Sequence, residues 1–180
     1  GILGGTFDPI HMGHLIIAQE AAVRAALDEV WFIPTGQPWL KSGTRISPSD
    51  HRLEMVRRAT RCNPGFKVSA LEVDRPGPTY TVDTLESLRE GAAKGDDLFL
   101  ILGMDSLETL HRWHRPERLF DLCTLIGVSR PEHGDFDLSS LDKICSGASG
   151  QVAIIDGPSI GISGAEVRRR VTEGLPVTYW

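Results

Sequence analysis

The run Leu98-Phe99-Leu100-Ile101-Leu102 carries no polar side chain. A strand with one face in water alternates apolar and polar residues, so a short uninterrupted run of this kind demands a strand covered on both faces. Further apolar runs lie at Gly1 to Thr6, Glu29 to Pro34, Phe66 to Val73, Thr124 to Ser129 and Val152 to Ile155. Between them fall helical patterns at Gly13 to Leu27, Pro48 to Arg61, Thr81 to Gly91, Ser106 to Phe120, Leu138 to Ile144 and Ala165 to Glu173. Strands alternating with helices in this way build parallel βαβ units. The expected fold class is therefore α/β, an open parallel sheet with helices on both faces in three α/β/α layers.

The element ends carry chemical punctuation. Ser47-Pro48-Ser49-Asp50 supplies a hydroxyl cap, a proline for the first helical position and an acid three residues after the cap, all of which favour a helix start. Ser163-Gly164-Ala165-Glu166 repeats the capping-box spacing. Thr35 to Ser47, with Gly36, Pro38, Ser42 and Gly43, shows no periodicity and reads as a long mobile loop. In an open α/β sheet such a loop lies beyond the carboxyl ends of the strands, where ligands are held.

Composition narrows the chemistry. At 180 residues and 41% hydrophobic, the chain can fill one core without metal or disulfide staples, and residues 1–180 are expected to form a single domain. Nineteen Lys and Arg against 24 Asp and Glu leave a net charge of −5. That is the wrong sign for coating nucleic acid by bulk charge, so any anionic ligand needs a local cationic cluster. No apolar run approaches the ~18 to 20 residues that span a bilayer, and the expectation is a soluble, cytoplasmic protein with no membrane partner. Cys62, Cys123 and Cys145 lack C-x-x-C spacing and read as ordinary buried thiols. The chain opens on Gly1 and ends on Trp180, which suggests a slightly longer protein with a shortened C-terminal tail.

The chemistry concentrates in Gly4-Gly5-Thr6-Phe7-Asp8-Pro9-Ile10-His11-Met12-Gly13-His14. An apolar strand enters paired glycines, an Asp-Pro turn, and two histidines three residues apart at a helix head. Glycines let the backbone approach a ligand closely, and the first amides of a helix are unpaired donors with partial positive charge. This layout suits a phosphate. The histidines could instead join Asp8 at a metal, but the H-E-x-x-H arrangement of zinc hydrolases is missing. Neither G-x-x-x-x-G-K-[ST] nor G-x-G-x-x-G occurs at this turn.

The run Gly5 to His14 matches the G-x-F-D-P-x-H-x-G-H motif of the nucleotidyltransferase superfamily with a T/H-x-G-H element. Within it, the chain resembles the bacterial nicotinate mononucleotide adenylyltransferases along nearly its whole length. The later matches come in order: Trp31-Phe32-Ile33-Pro34, Pro38-Trp39-Leu40-Lys41, Tyr80-Thr81-Val82-Asp83-Thr84-Leu85, Gly103-Met104-Asp105-Ser106-Leu107 with Trp113, and Ile162-Ser163 through Arg168. Two departures stand out. Gly164 and Ala165 replace a second Ser and a Thr of the late motif, and Trp39 and Leu40 replace the middle of a Pro-Pro-His-Lys loop.

The resemblance implies a Rossmann-like enzyme of NAD biosynthesis that joins ATP and nicotinate mononucleotide into deamido-NAD, releasing pyrophosphate, with Mg2+ carried by the ATP phosphates rather than by dedicated protein ligands. It implies that the Gly5, Thr6 and Phe7 backbone approaches the α-phosphate, that His11 and His14 donate to the ATP phosphates, and that Ser163 and Arg168 close over the β and γ groups. Lys41 would clamp the transferred phosphate. Trp113 would stack on the pyridine ring, with Tyr80, Thr81 and the His114 backbone around its carboxylate. Asp105, after Gly103 at the end of the most apolar strand, is where a carboxylate meets a ribose hydroxyl in dinucleotide folds.

Plainer readings stand beside these. Ser163 with Glu166 makes a capping box, and the two roles are compatible because a capped helix start also presents amides. Asp105 can cap the helix at Ser106. Trp113 can pack the Ser106 to Phe120 helix on the core, Trp31 is a core candidate, Lys41 can be solvated, and Arg169 and Arg170 read as a solvated face because successive helical side chains diverge by ~100°. Alternative acceptors are phosphopantetheine or glycerol phosphate. Gly164 and Ala165 prompt a further alternative, a nucleotide-binding regulator without catalysis.

Overall fold

The computed structural model describes residues 1–39, 45–91, 94–129 and 136–180. In chain order the elements are β1 (Ile2–Gly5), α1 (Met12–Arg24), β2 (Val30–Pro34), β3 (Gln37–Pro38), α2 (Ser49–Thr60), β4 (Phe66–Val68), β5 (Pro78–Thr79), α3 (Thr81–Glu90), β6 (Phe99–Gly103), α4 (Met104–Glu108), α5 (Pro116–Leu122), β7 (Thr124–Ser129), β8 (Val152–Asp156) and α6 (Gly164–Thr172).

Six strands form one sheet in the order β4-β2-β1-β6-β7-β8, and every described pairing in it is parallel. The strand alternation sorts side chains into two cores. Leu100 and Leu102 of β6 join Ile2, Ile33 and Leu125 on one face, under Leu85 and Leu88 of α3, Leu107 of α4 and Leu119 of α5. Ile101 joins Leu3, Phe32, Ile126 and Val128 on the other, under Ala18 and Ala21 of α1 and Val56 of α2. This is the Rossmann-like three-layer α/β/α arrangement. Truncating Leu100, 1% exposed, to alanine would cost about 2–5 kcal/mol.

The order reverses between β1 and β6: the chain runs outward through β2 and β4, then returns to pair Ile2 with Leu100. Crevices beyond the carboxyl ends of strands at such a reversal are where open α/β sheets bind ligands. Thr6 follows β1 there, and Asp105 follows β6.

Several elements differ from the sequence pattern. The Ser106 to Phe120 helix is broken into α4, a 3-10 turn at Leu110–Arg112 and α5. Arg115 has φ +48, a left-handed backbone that no α-helix contains, and Pro116 restarts the helix. Leu138–Lys143 is a 3-10 helix rather than α. The strand expected over Phe66 to Val73 stops at Val68, α1 starts one residue earlier and stops at Arg24, and Thr35 to Ser47 contains β3, which pairs with β5 in a separate two-stranded ribbon. The capping of α2 also differs. Pro48 is the N-cap without a side-chain bond, and Ser47 instead takes part through its backbone: its amide donates to Asp8 Oδ2 and its carbonyl accepts from Arg52. Cys123 is buried, Cys145 partly buried and Cys62 exposed, so the expectation of three buried thiols is corrected. Among the described residues, no helix is long and apolar enough to cross a membrane.

Candidate active site

The turn after β1 is held in a strained conformation. Phe7 has φ +48. A left-handed non-glycine residue costs on the order of 1–3 kcal/mol. Burial of the Phe7 ring offsets that cost: it is 2% exposed and packs on Phe32 and edge-on to His14. His11 is the N-cap of α1. Its amide donates to His14 Nδ1 at 3.2 Å, while the His14 amide donates to the His11 carbonyl at 2.9 Å. The two rings stack with centroids 3.8 Å apart. Since His14 Nδ1 accepts, Nε2 carries the ring proton and is the donor nitrogen. Gly13 leaves room for this stack, because a Cβ there would lie 3.0 Å from His11 Nδ1 and the ring would have to shift.

Helix α6 closes the turn from the opposite end of the chain. Ser163 caps it by accepting from the Glu166 amide at 3.2 Å. The Arg168 guanidinium donates to the Asp8 carbonyl. The next two arginines point elsewhere: Arg169 bridges Glu166 and Glu173, and Arg170 lies 4.4 Å over the Trp180 ring and donates to Pro176 O. Arg170 is thus not simply solvated. A cavity of about 270 Å³ opens between the turn and α6, lined by Thr6, Phe7, Asp8, His11, His14, Arg45 and Arg168, with Gly164 and Ala165. Two guanidiniums, two imidazoles and two helix starts against one carboxylate, whose Oδ2 accepts from Ser47, suit this cavity to an anion.

A second cavity, about 360 Å³, lies over the ends of β1 and β6. Gly5, Leu102 and Gly103 line it together with Trp39, Tyr80, Thr81, Asp105, Trp113 and His114. Tyr80 sits between Trp39 and His114, with ring centroids 5.7 and 4.3 Å away. The β3–β5 ribbon brings Trp39 to Tyr80, since each follows directly on its strand. Trp113 packs partly on the core and also lines the cavity. Its Nε1 is buried without an acceptor among the described residues, a cost of about 1–3 kcal/mol. The left-handed Arg115 then swings back to Asp83 and Glu86 of α3, at 2.7 and 3.2 Å, tying together the chain on both sides of this cavity. Glu72 is buried, lines the same cavity and accepts from Thr84 Oγ1 at 2.8 Å. Desolvation pushes its carboxyl pKa up, although the Thr84, Thr79 and Thr35 hydroxyls pull it down.

Thr6 and His14 line both cavities. Of the residues expected from sequence, Gly5, Thr6, Phe7, His11, His14, Tyr80, Thr81, Gly103, Asp105, Trp113, His114 and Arg168 line one or both. Asp105 stands in the first turn of α4, whose N-cap is Gly103 rather than Asp105. Ser163 caps α6 beside the first cavity without lining it, and Lys41 lies outside the described residues. Sequence reasoning passed over Arg45, Glu72 and the stacking position of Trp39. Arg45 stands alone in an aperiodic segment, and Glu72 lies beyond the strand that was expected to contain it.

The cytidylyltransferase-like family pattern matches residues 2–170. A protein of Acidothermus cellulolyticus, named as a "probable nicotinate-nucleotide adenylyltransferase", is 44% identical over 183 aligned residues that cover 99% of this chain and 85% of the relative. One of the same name from Kineococcus radiotolerans is 47% identical over 178 residues, covering 98% and 81%. The chain belongs to the nicotinate-nucleotide adenylyltransferase family. The fold agrees with solved members at far lower identity. The Plasmodium falciparum nicotinic acid mononucleotide adenylyltransferase, complexed with NaAD, superposes with a TM-score of 0.78 at 22% identity, covering 98% of this chain and 85% of that one. A putatively assigned nicotinate-nucleotide adenylyltransferase from Vibrio parahaemolyticus gives 0.65 at 15% identity, covering 99% and 89%. In this family member, the late-motif positions Gly164 and Ala165 line the anion cavity without a side-chain oxygen.

Proposed function

We propose that this chain transfers the adenylyl group of ATP to nicotinate mononucleotide, yielding deamido-NAD and pyrophosphate, as the names of its 44–47% identical relatives indicate. The observation that carries the reading is the junction of the two cavities at Thr6 and His14. One cavity is cationic and suits a polyphosphate; the other has an aromatic wall and suits a flat heterocycle. Their shared wall is where two phosphates would meet.

The reaction forms a bond from a mononucleotide phosphate oxygen to the α-phosphorus of ATP and breaks the bond to the bridging oxygen, whose electron pair leaves with pyrophosphate. A phosphate monoester has its second pKa near ~6, so the attacking oxygen is already an anion and requires no general base. What remains is alignment of two polyanions and neutralisation of charge on the leaving oxygens. The Gly5, Thr6 and Phe7 backbone is suited to the α-phosphate, His14 Nε2 and His11 to the phosphate oxygens, and Arg168 with the capped start of α6 at Ser163 to the β and γ groups. Lys41 is assigned to the transferred phosphate by resemblance. Asp105 is suited to a ribose hydroxyl, and Trp113, with Tyr80, Thr81 and His114, to the pyridine ring.

Mg2+ would be carried by the ATP phosphates and would supply charge neutralisation at their oxygens. Nitrogen donors and a single engaged carboxylate in the anion cavity suit a cation whose ligands are phosphate oxygens and water. Both ends of the chain contribute to this site, which supports one domain over residues 1–180, and the demand for ATP favours the cytoplasm.

The test is pyrophosphate release from MgATP with nicotinate mononucleotide, phosphopantetheine or glycerol phosphate offered separately. Release with nicotinate mononucleotide is expected. Release with phosphopantetheine alone, or ATP binding without release with any acceptor, would overturn the assignment.

A further inference from the structure

Arg52, in the first turn of α2, is 1% exposed and the largest fully buried side chain among the described residues. Its guanidinium makes three hydrogen bonds, all to main-chain carbonyls. Nη1 donates to Thr6 O at 2.7 Å, Nη2 to Gly36 O at 3.0 Å and Nε to Ser47 O at 3.0 Å.

Those carbonyls belong to three separate stretches. Thr6 is in the turn shared by both cavities. Gly36 leads into Trp39, and Ser47 follows Arg45 and Ile46. Other contacts seat the same points. The Ser47 amide donates to Asp8 Oδ2 at 3.4 Å. Gly36 presses so closely on the neighbouring chain that a Cβ would lie 2.1 Å from Glu72 O. Among the described residues the guanidinium has no hydrogen-bonded carboxylate. Burial lowers its pKa and the nearby Asp8 charge raises it, with burial the larger effect.

A buried cation is an expensive way to fill space, since apolar residues of similar volume often serve as well or better. What a guanidinium supplies and an apolar chain does not is a rigid fork of donors able to hold several carbonyls at once. We propose that Arg52 is a positioning residue for adenylyl transfer, locking the backbone at Gly36 and Ser47 to the Thr6 turn and thereby delivering Arg45 to the anion cavity as a further phosphate contact. This inference rests on the adenylyltransferase reading for its rate effects and on the anion cavity alone for its binding effects.

The test is a double-mutant cycle on the whole chain, pairing Arg45→Ala with Arg52→Met and, separately, with Arg52→Lys. It is read both by ATP affinity from titration calorimetry and by steady-state turnover, with circular dichroism and thermal unfolding as checks of the fold. In the wild-type background, Arg45→Ala is expected to weaken ATP binding about tenfold. In Arg52→Met it should change binding by less than about twofold, because the side chain is no longer delivered. Contacts that act through one another are non-additive, whereas independent sites add. Arg52→Lys retains charge without the fork and should fall in between; it also carries the cycle if Arg52→Met does not fold. Equal effects of Arg45→Ala in every background, or none in the wild type, would overturn the proposal. Normal ATP binding with no transfer in the wild type would sink the adenylyltransferase reading instead, and the affinity cycle would still decide the role of Arg52.

Discussion

The Arg168 guanidinium donates to the main-chain carbonyl of Asp8, 160 positions earlier in the chain. That bond joins α6 to the turn after β1, and both residues line the anion cavity. A polyphosphate entering there offers the same guanidinium charged oxygens, which bind more strongly than a neutral carbonyl. Arg168→Ala should therefore raise the KM for ATP more than that for nicotinate mononucleotide and lower kcat. Arg168→Lys should recover only part of the loss, because a lysine lacks the fork. Initial rates with each substrate varied in turn check this, and an unchanged KM for ATP would contradict it.

The His11–His14 pair makes a sharper kinetic prediction. His14 accepts from the His11 amide through Nδ1, which leaves Nε2 as a preorganised donor. Removing one such donor to a developing charge typically costs roughly 2.7–4 kcal/mol, or about 10²–10³ in kcat. His14→Ala should lose that much turnover with an intact circular dichroism spectrum. His14→Asn, whose amide can both accept and donate, should lose less. Near wild-type turnover in the alanine variant would take His14 out of the chemistry.

Trp113 lies between the core and the second cavity, so the two roles need separating. Trp113→Ala should raise the KM for nicotinate mononucleotide several-fold more than the KM for ATP, while Trp113→Phe should keep most of the affinity by preserving a stacking face. Equal shifts for both substrates would mean that the residue matters only through packing.

Glu72 predicts a pH dependence of stability. Burial, the dominant effect, raises its pKa in the folded state. The folded protein then binds a proton more tightly than the unfolded chain does, and stability falls as the pH rises from the ordinary glutamate range through the raised folded value. Glu72→Gln can still accept from Thr84 without carrying charge. It should match the wild type below that window, exceed it at neutral pH, and show a flatter profile. Urea unfolding at a series of pH values makes the comparison; parallel profiles for the two proteins would refute it.

The sequence made the layers readable because β6 and its neighbours are apolar on both faces, and Thr124 to Ser129 coincides with β7 to the residue. The helix drawn through Ser106 to Phe120 followed the spacing of its apolar residues. Pro116 was the contrary signal, because the residue before a proline is disfavoured in α-helical geometry. Two-residue strands such as β3 and β5 carry no periodic signature, so the ribbon that brings Trp39 to Tyr80 had no visible cue. The candidate site divides in the same way. His11, His14 and Gly13 are legible because their geometry is local to one turn of helix. Arg52 is not, since its acceptors are carbonyls as far as 46 positions away, and any residue type can offer a carbonyl. Ser47 has the spacing of a helix cap, yet the N-cap position of α2 is Pro48, and the Ser47 backbone is held by Asp8 and Arg52.

The most direct measurement follows both products of the central reaction, pyrophosphate and dinucleotide, with MgATP and competing acceptors. Deamido-NAD and pyrophosphate are expected in equal amounts, with kcat/KM for nicotinate mononucleotide at least about 10²-fold above that for phosphopantetheine, since stacking and a charged contact together supply roughly the 2.7 kcal/mol that this ratio represents. A protein that binds ATP yet forms no dinucleotide, or that prefers phosphopantetheine, would contradict it.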